Sequence, residues 1–258
     1  MNTPFRLLPW HLALVFVSSL VALSAQESAP SLAENYRLIY SQNFDGSDWR
    51  NQFVMTDPQA WKEGSLTQNG STTKTLELAK QSQYKPPHRS PFNMAYIKEL
   101  VTGDFVMDVN LLQTGREYGH RDMCLFFGFQ DPAHFYYVHM ATATDDHAHN
   151  IFIVNDAPRI KISERTTKGV NWGTEVWHHI RLVRQASTGL IQVFYDDMTK
   201  PIMEANDKTF GPGHIGFGSF DDTGMVDNIK IWASDHKQQS VAPFTPKQRN
   251  DAGQGQPS

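Results

Sequence analysis

The sequence predicts an all-β protein, a two-sheet antiparallel β-sandwich, and three observations carry that prediction. Residues 104–111 alternate strictly. Phe105, Met107, Val109 and Leu111 fall on one face, and Asp104, Asp108 and Asn110 on the other, which is the period of a half-buried strand. Many short apolar runs follow one another with turn punctuation between them, at Asp131-Pro132, Asp156-Ala157-Pro158, Ser187-Thr188-Gly189, Gly211-Pro212-Gly213 and Asp222-Thr223-Gly224. No long stretch shows the helical period. The chain has 258 residues, 40% hydrophobic, 12% aromatic and 19% charged, too apolar for a disordered chain and large enough to bury a full core.

Taken in order, residues 1–25 have the pattern of a signal peptide. Arg6 supplies the positive start, an apolar run extends from Leu7 to Val21, and Ala22-Leu23-Ser24-Ala25 offers a cleavage site. The run is short for a membrane span of about 20 residues, so export without a stable span after cleavage is the expectation. The destination is the periplasm, the cell surface or the medium. Residues 26–35 form a linker, residues 36–233 one domain, and residues 234–258 a disordered tail rich in Gln, Pro and Ser.

Within the domain, strands are expected at 38–44, 75–79, 95–99, 122–130, 135–140, 151–155, 159–163, 177–184, 190–195, 202–204, 214–220 and 226–232. No internal repeat and no second domain boundary appears. The formal charge is −4 with an isoelectric point near 6.2, which leaves no basic footprint for nucleic acid. Cys124 is the single cysteine, so neither an internal disulfide nor a Cys-based zinc site is expected. Its apolar neighbours, Met123 to Phe129, mark it as a buried, inert thiol. Asn69-Gly70-Ser71 fits a glycosylation sequon.

Three stretches carry a likeness to a known family. They are Leu38-Ile39-Tyr40-Ser41-Gln42-Asn43-Phe44-Asp45-Gly46 with Trp49; Trp177-His178-His179-Ile180-Arg181-Leu182-Val183-Arg184 with the hairpin through Gly189 to Asp196; and Gly213 to Phe220 followed by Val226-Asp227-Asn228-Ile229-Lys230-Ile231-Trp232. In this order the chain resembles the concanavalin A-like (laminin G-like) jelly-roll superfamily, and within it the exported 3-keto-disaccharide hydrolase-like domains. The resemblance implies a jelly roll with Trp177 in the core. It also implies an exported carbohydrate-active protein that acts on a glycosidic bond in an oligo- or polysaccharide. The same superfamily includes non-catalytic, lectin-like modules, and a structural envelope protein is the third alternative. The resemblance further implies a structural Ca²⁺ held by Asp227 with Asp45 and Gly46. One carboxylate with backbone carbonyls and water can satisfy that ion; otherwise Asp227 caps a turn.

The paired Glu-x-Asp-x-x-Glu of retaining glucanases in this superfamily is absent, as are Gly-x-Ser-x-Gly, His-Glu-x-x-His and a phosphate loop. No organic cofactor is indicated. The chemistry is expected from the histidine-rich stretch. His120, Arg121, Asp122 and His139 are the catalytic candidates, because imidazole suits general-base work and the Arg fork suits a sugar oxyanion. Gln130, Tyr137 and Asn150 are candidates for a sugar groove, with the tyrosine ring as a stacking surface. Asp145, His147 and His149 are candidate ligands of zinc or a transition metal, since His-x-His in extended chain points both rings the same way. The competing structural interpretations are a salt-bridged corner, amphipathic sheet packing and a polar loop.

Overall fold

A computed structural model describes residues 35–68, 70–242 and 244. The expected signal peptide, most of the expected linker, Asn69 of the sequon and the chain beyond residue 244 lie outside the described residues.

Sixteen strands follow one another: β1 (Arg37–Gln42), β2 (Phe53–Met55), β3 (Trp61–Gln68), β4 (Ser71–Leu78), β5 (Asn93–Thr102), β6 (Phe105–Gln113), β7 (Asp122–Asp131), β8 (His134–Ala141), β9 (Asn150–Asn155), β10 (Ile160–Lys161), β11 (Arg165–Thr166), β12 (His178–Gln185), β13 (Leu190–Tyr195), β14 (Met203–Asn206), β15 (Gly213–Ser219) and β16 (Gly224–Ala233). Two single 3₁₀ turns, Trp49–Gln52 and Pro58–Ala60, are the helical segments among the described residues. No helix there is long and apolar enough to cross a membrane.

The strands form a nine-stranded sheet, β11-β14-β13-β12-β6-β16-β4-β3 with β1 also on β16, and a seven-stranded sheet, β10-β9-β8-β7-β15-β5-β2. The pairing is antiparallel throughout. The predicted alternation of β6 holds: Phe105, Met107, Val109 and Leu111 enter the core between the sheets, with Leu182, Val193 and Ile231 from neighbouring strands. From the other sheet come Leu125, Phe127, Tyr136, Val138 and Phe217. On the outward face of β6, Asp108 receives the Arg181 fork at 2.7 and 2.8 Å. The expected strands are found with shifted ends. β2, β3 and β11 were not expected, because short or polar runs such as Trp61–Gln68 lack a clear apolar alternation.

Three expectations are corrected. Trp177 is only half-buried and precedes β12; the core tryptophans are Trp49, Trp61 and Trp172, while His178, Ile180 and Leu182 take the inward face of β12. The chain past Ala233 does not leave the domain at once. Lys237 bridges to Val101, the Val241 amide donates to the Lys98 carbonyl, and Val241 and Phe244 pack on the seven-stranded sheet. That sheet is also not amphipathic. Its outer face carries Met94, Tyr96, Cys124, Phe126, Phe135, Tyr137, Phe152 and Val154, all buried in a second apolar cluster with Tyr84, Val241 and Phe244 packed over them. A strand buried on both faces reads as a continuous apolar run, which is why β7 contains Met-Cys-Leu-Phe-Phe-Gly-Phe.

Candidate functional site

Polar groups gather at one end of the seven-stranded sheet, where β7 begins, β8 ends and the β15–β16 turn passes over them. The sheet register builds the gathering. Cys124 of β7 stands opposite Gly218 of β15 on one side and His139 of β8 on the other, and His139 stands opposite Asn150 of β9. Asp122 is two residues before Cys124 and therefore shares its face.

Asp122 is completely buried. Its Oδ1 accepts from the Ser219 hydroxyl at 2.9 Å, and its Oδ2 accepts from the Phe220 amide at 2.9 Å and the Cys124 thiol at 3.0 Å. The Asp222 carboxylate accepts from the Asp122 amide at 2.9 Å and the Tyr118 hydroxyl at 2.8 Å, while the Asp222 amide donates to the Ser219 hydroxyl at 2.8 Å. Carboxylate oxygens of Asp122, Asp221 and Asp222 lie within 4.8 Å of one another. Electrostatics separates them. Burial opposes ionisation of Asp122, but the facing His139 and the Phe220 and Cys124 donors outweigh it and hold that carboxyl low. Burial and then the Asp122 charge push Asp222 up to about 6. The same two causes raise Asp221, which is exposed. Neighbouring carboxyls with oppositely displaced pKa values are the arrangement of an acid–base pair.

Of the expected catalytic residues, the fold brings His139 and Asp122 together. The His139 Nδ1–H donates to the His147 carbonyl at 3.1 Å, and its Nε2 lies 3.4 Å from Asp122 Oδ2 without forming a hydrogen bond. His120 is on the exposed rim, its Nε2 2.6 Å from Asp145 Oδ2. Arg121 does not face the cluster. Its guanidinium is buried on the opposite side and donates to the Gln113 side chain and carbonyl, the Gly173 carbonyl and Glu117. With its donors engaged it cannot hold a sugar oxyanion.

The expected sugar groove is not formed. Tyr137 is buried under Arg159, whose guanidinium donates to the Tyr137 hydroxyl at 3.1 Å and to the His147 carbonyl at 2.9 Å. The same group lies 4.3 Å from the Phe220 ring centre and 5.0 Å from that of Phe152. Asn150 is buried and donates to the Asp145 and Ala148 carbonyls. Gln130 is exposed at the far end of β7, bonded to the Gly128 and Pro212 carbonyls.

The expected His-x-His ligand set does not converge either. His149 has φ of 51°, which breaks the extended geometry that would align the two rings. Its buried ring accepts the Ala141 amide at Nδ1 and donates from Nε2 to the Thr167 hydroxyl, so neither nitrogen is free for a metal. His147 is exposed and acts through its backbone, donating its amide to Asp145.

At the other sheet, Asp227 is buried and accepts from the Thr73 hydroxyl at 2.9 Å and the Asn228 amide at 2.7 Å. Burial raises its carboxyl, and the charge of Asp45 raises it further. The charge of the exposed Asp45 reaches this corner, and both Asp227 oxygens accept hydrogen bonds.

Tyr118, Ser219, Asp221, Asp222 and Arg159 had no signal as site residues in the sequence. Asp222 reads there as turn punctuation, and only the return of β15 beside β7 brings it to Asp122.

Two cavities lie elsewhere. One of about 250 Å³ is lined by Tyr40, Gln52, Lys98 and His236, and one of about 380 Å³ by Tyr84, Phe129, Gln130, His214 and Phe244.

No protein-family model and no curated protein sequence matches the chain. Solved structures do match in shape. Domain 4 of an extracellular arabinanase from Geobacillus stearothermophilus, solved with arabinotriose, aligns with a TM-score of 0.50 at 12% identity, over 81% of this chain and 96% of that one. A carbohydrate binding module from Bacillus subtilis aligns with a TM-score of 0.46 at 14% identity, covering 70% and 96%. A galectin-like protein of unknown function from Bacillus subtilis aligns with a TM-score of 0.48 at 10% identity, covering 80% and 100%. The likeness to the arabinanase domain is one of fold: two antiparallel sheets packed as a jelly-roll sandwich.

Proposed function

We propose that the protein is an exported carbohydrate-active protein that cleaves a glycan at the Asp122–Asp221–Asp222 end of the seven-stranded sheet. The observation that carries this reading is the carboxyl pair with opposite displacements, Asp122 held low and Asp222 raised to about 6. A carboxyl that keeps its proton near neutral pH suits protonation of a departing glycosidic oxygen. Tyr118 orients it, Asp221 is the exposed carboxylate beside it, and the His120–Asp145 pair forms the rim. On a 3-keto-disaccharide the same carboxyls would work as a base, since the carbonyl acidifies the neighbouring C–H. Asp122 and His139 stay in support, because both side chains are enclosed.

The substrate class rests on the fold resemblance together with this pair. Turnover of a panel of polysaccharides and 3-keto-disaccharides, measured with Asp222→Asn and Asp221→Asn, tests it. The expected result is a loss of at least about 100-fold for Asp222→Asn, the range of a lost general acid, with glycan affinity retained. Glycan binding by the wild-type protein with no turnover of any substrate would replace this reading by that of a binding module.

A structural Ca²⁺ at Asp227, Asp45 and Gly46 belongs to the same proposal. Calcium should raise the melting temperature of the wild-type protein and leave Asp227→Asn unmoved. Secretion is tested by sequencing the mature N-terminus, expected just after Ala25.

A further inference from the structure

We propose that Asp122, Cys124 and His139 form a buried site for a zinc-class divalent metal ion. Three facts converge on it. One ligand atom from each residue lies within 4.8 Å of the other two, and all three residues are buried. The imidazole is already turned for coordination. Its Nδ1–H is spent on the His147 carbonyl, which leaves Nε2 facing the carboxylate. A bond from the other ring nitrogen to a carbonyl is the usual way a metal-binding histidine is oriented. Finally, Nε2 has no hydrogen-bond partner although His139 is only 3% exposed. Its one polar neighbour is the Asp122 carboxylate at 3.4 Å, too far for a good hydrogen bond, and a metal ion between the two would displace the ring proton and satisfy both groups.

The spacing agrees with tetrahedral coordination. Bonds of about 2.0–2.2 Å to nitrogen and oxygen and about 2.3 Å to sulfur put neighbouring N and O donors about 3.4 Å apart, and S and O donors about 3.6 Å apart. The Nε2 to Oδ2 distance is 3.4 Å. The Sγ to Oδ2 distance is 3.0 Å, so the thiol would give way by about half an ångström on coordination. The charges balance as well. A divalent ion with one thiolate and one carboxylate is neutral, which suits a site walled by Tyr137, Phe152 and Phe220, whose ring centres lie 6.0–6.3 Å from that of His139. A sulfur and an imidazole nitrogen select a borderline-soft ion over calcium or magnesium. Cys124 gives up its thiol proton when the ion binds, so uptake strengthens as pH rises. Asp122 also takes part in the proposed cleavage site. The two readings share that residue, but the readouts of the metal site are taken at Cys124 and His139 and need no turnover, so either can fail without the other.

Cys124 is the only cysteine in the chain, so any thiolate–metal signal reports on this site alone. The full-length chain, stripped with a chelator and titrated with Co²⁺, should take up one equivalent with a thiolate-to-cobalt charge-transfer absorption that Zn²⁺ abolishes. His139→Gln should weaken uptake by about 10-fold or more, and Cys124→Ser should remove the absorption. If Cys124→Ser does not fold, native mass spectrometry of the wild-type chain gives the answer, with Zn²⁺ binding at one per chain and slowing alkylation of Cys124 relative to the metal-free chain under the same mildly unfolding conditions. Absence of the charge-transfer absorption in the wild-type chain, or zinc bound with Cys124 alkylated as fast as in the metal-free chain, would overturn the proposal.

Discussion

The backbone amide of Asp122 donates to the carboxylate of Asp222 at 2.9 Å, which ties the first residue of β7 to the β15–β16 turn. The bond brings two carboxyls to one place, and the buried Asp122 charge is one cause of the high pKa of Asp222. The other and larger cause is burial.

The sign of the resulting pH dependence follows. The Asp222 carboxyl moves from about 3.8 to about 6 on folding, so the folded state holds this proton more tightly. Its stabilising contribution is complete below pH about 4 and is lost as pH rises through 6. We expect Asp222→Asn to flatten the stability profile between pH 4 and 6 by about 2 kcal/mol, allowing for partial solvent screening. Urea titrations at several pH values measure it, and an unchanged slope would show that Asp222 titrates normally.

His149 acts in the opposite direction over an overlapping window. Burial and the neighbouring His139 lower its imidazole from 6.5 to about 4. A depressed histidine contributes stability that is present above pH 6.5 and is lost as pH falls toward 4. The shift is worth up to about 3 kcal/mol. In the wild-type chain the two residues partly cancel. In Asp222→Asn the compensating contribution is gone, and that variant should lose more stability than the wild-type chain between pH 6.5 and 4. NMR titration of the His149 ring would check the low value directly.

Arg159 closes the outer face of the seven-stranded sheet through two hydrogen bonds and two aromatic contacts. Replacing Arg159 by Ala should cost about 1–2 kcal/mol and raise solvent access to Tyr137, seen as greater quenching of tyrosine fluorescence. A change within about 0.5 kcal/mol, usual for a surface residue, would show that this roof is not part of the stable fold.

Gly218 is demanded by close approach. A Cβ there would sit 1.8 Å from the Asn93 carbonyl oxygen and 3.2 Å from the Phe126 ring, and the backbone of β5 cannot move aside without breaking its register with β15. Gly218→Ala should therefore destabilise by more than about 3 kcal/mol. Gly211→Ala meets nothing within 4 Å and should be neutral in the same thermal melt.

Much of the sandwich is legible in the sequence because a strand declares its buried face by alternation, as β6 does with Phe105, Met107, Val109 and Leu111. The reading fails where both faces are buried. In β8, Tyr136 enters the core between the sheets while Tyr137 enters the outer cluster, and local sequence cannot tell a covered aromatic face from an open sugar platform. The cover arrives from residues remote in the chain, among them Tyr84, Arg159, Val241 and Phe244.

The site divides in the same way. That Asp122 and Cys124 share a face is a property of the local chain, as is the lone cysteine within an apolar run. That His139 stands opposite Cys124, that Asp222 lies under the Asp122 amide, and that His149 turns inward at positive φ are decided by strand register and by the return of β15 beside β7. Side-chain period is a local consequence of backbone geometry, whereas register and the closing of loops over a sheet are set by packing between segments that can lie a hundred or more residues apart, which no single window of sequence contains.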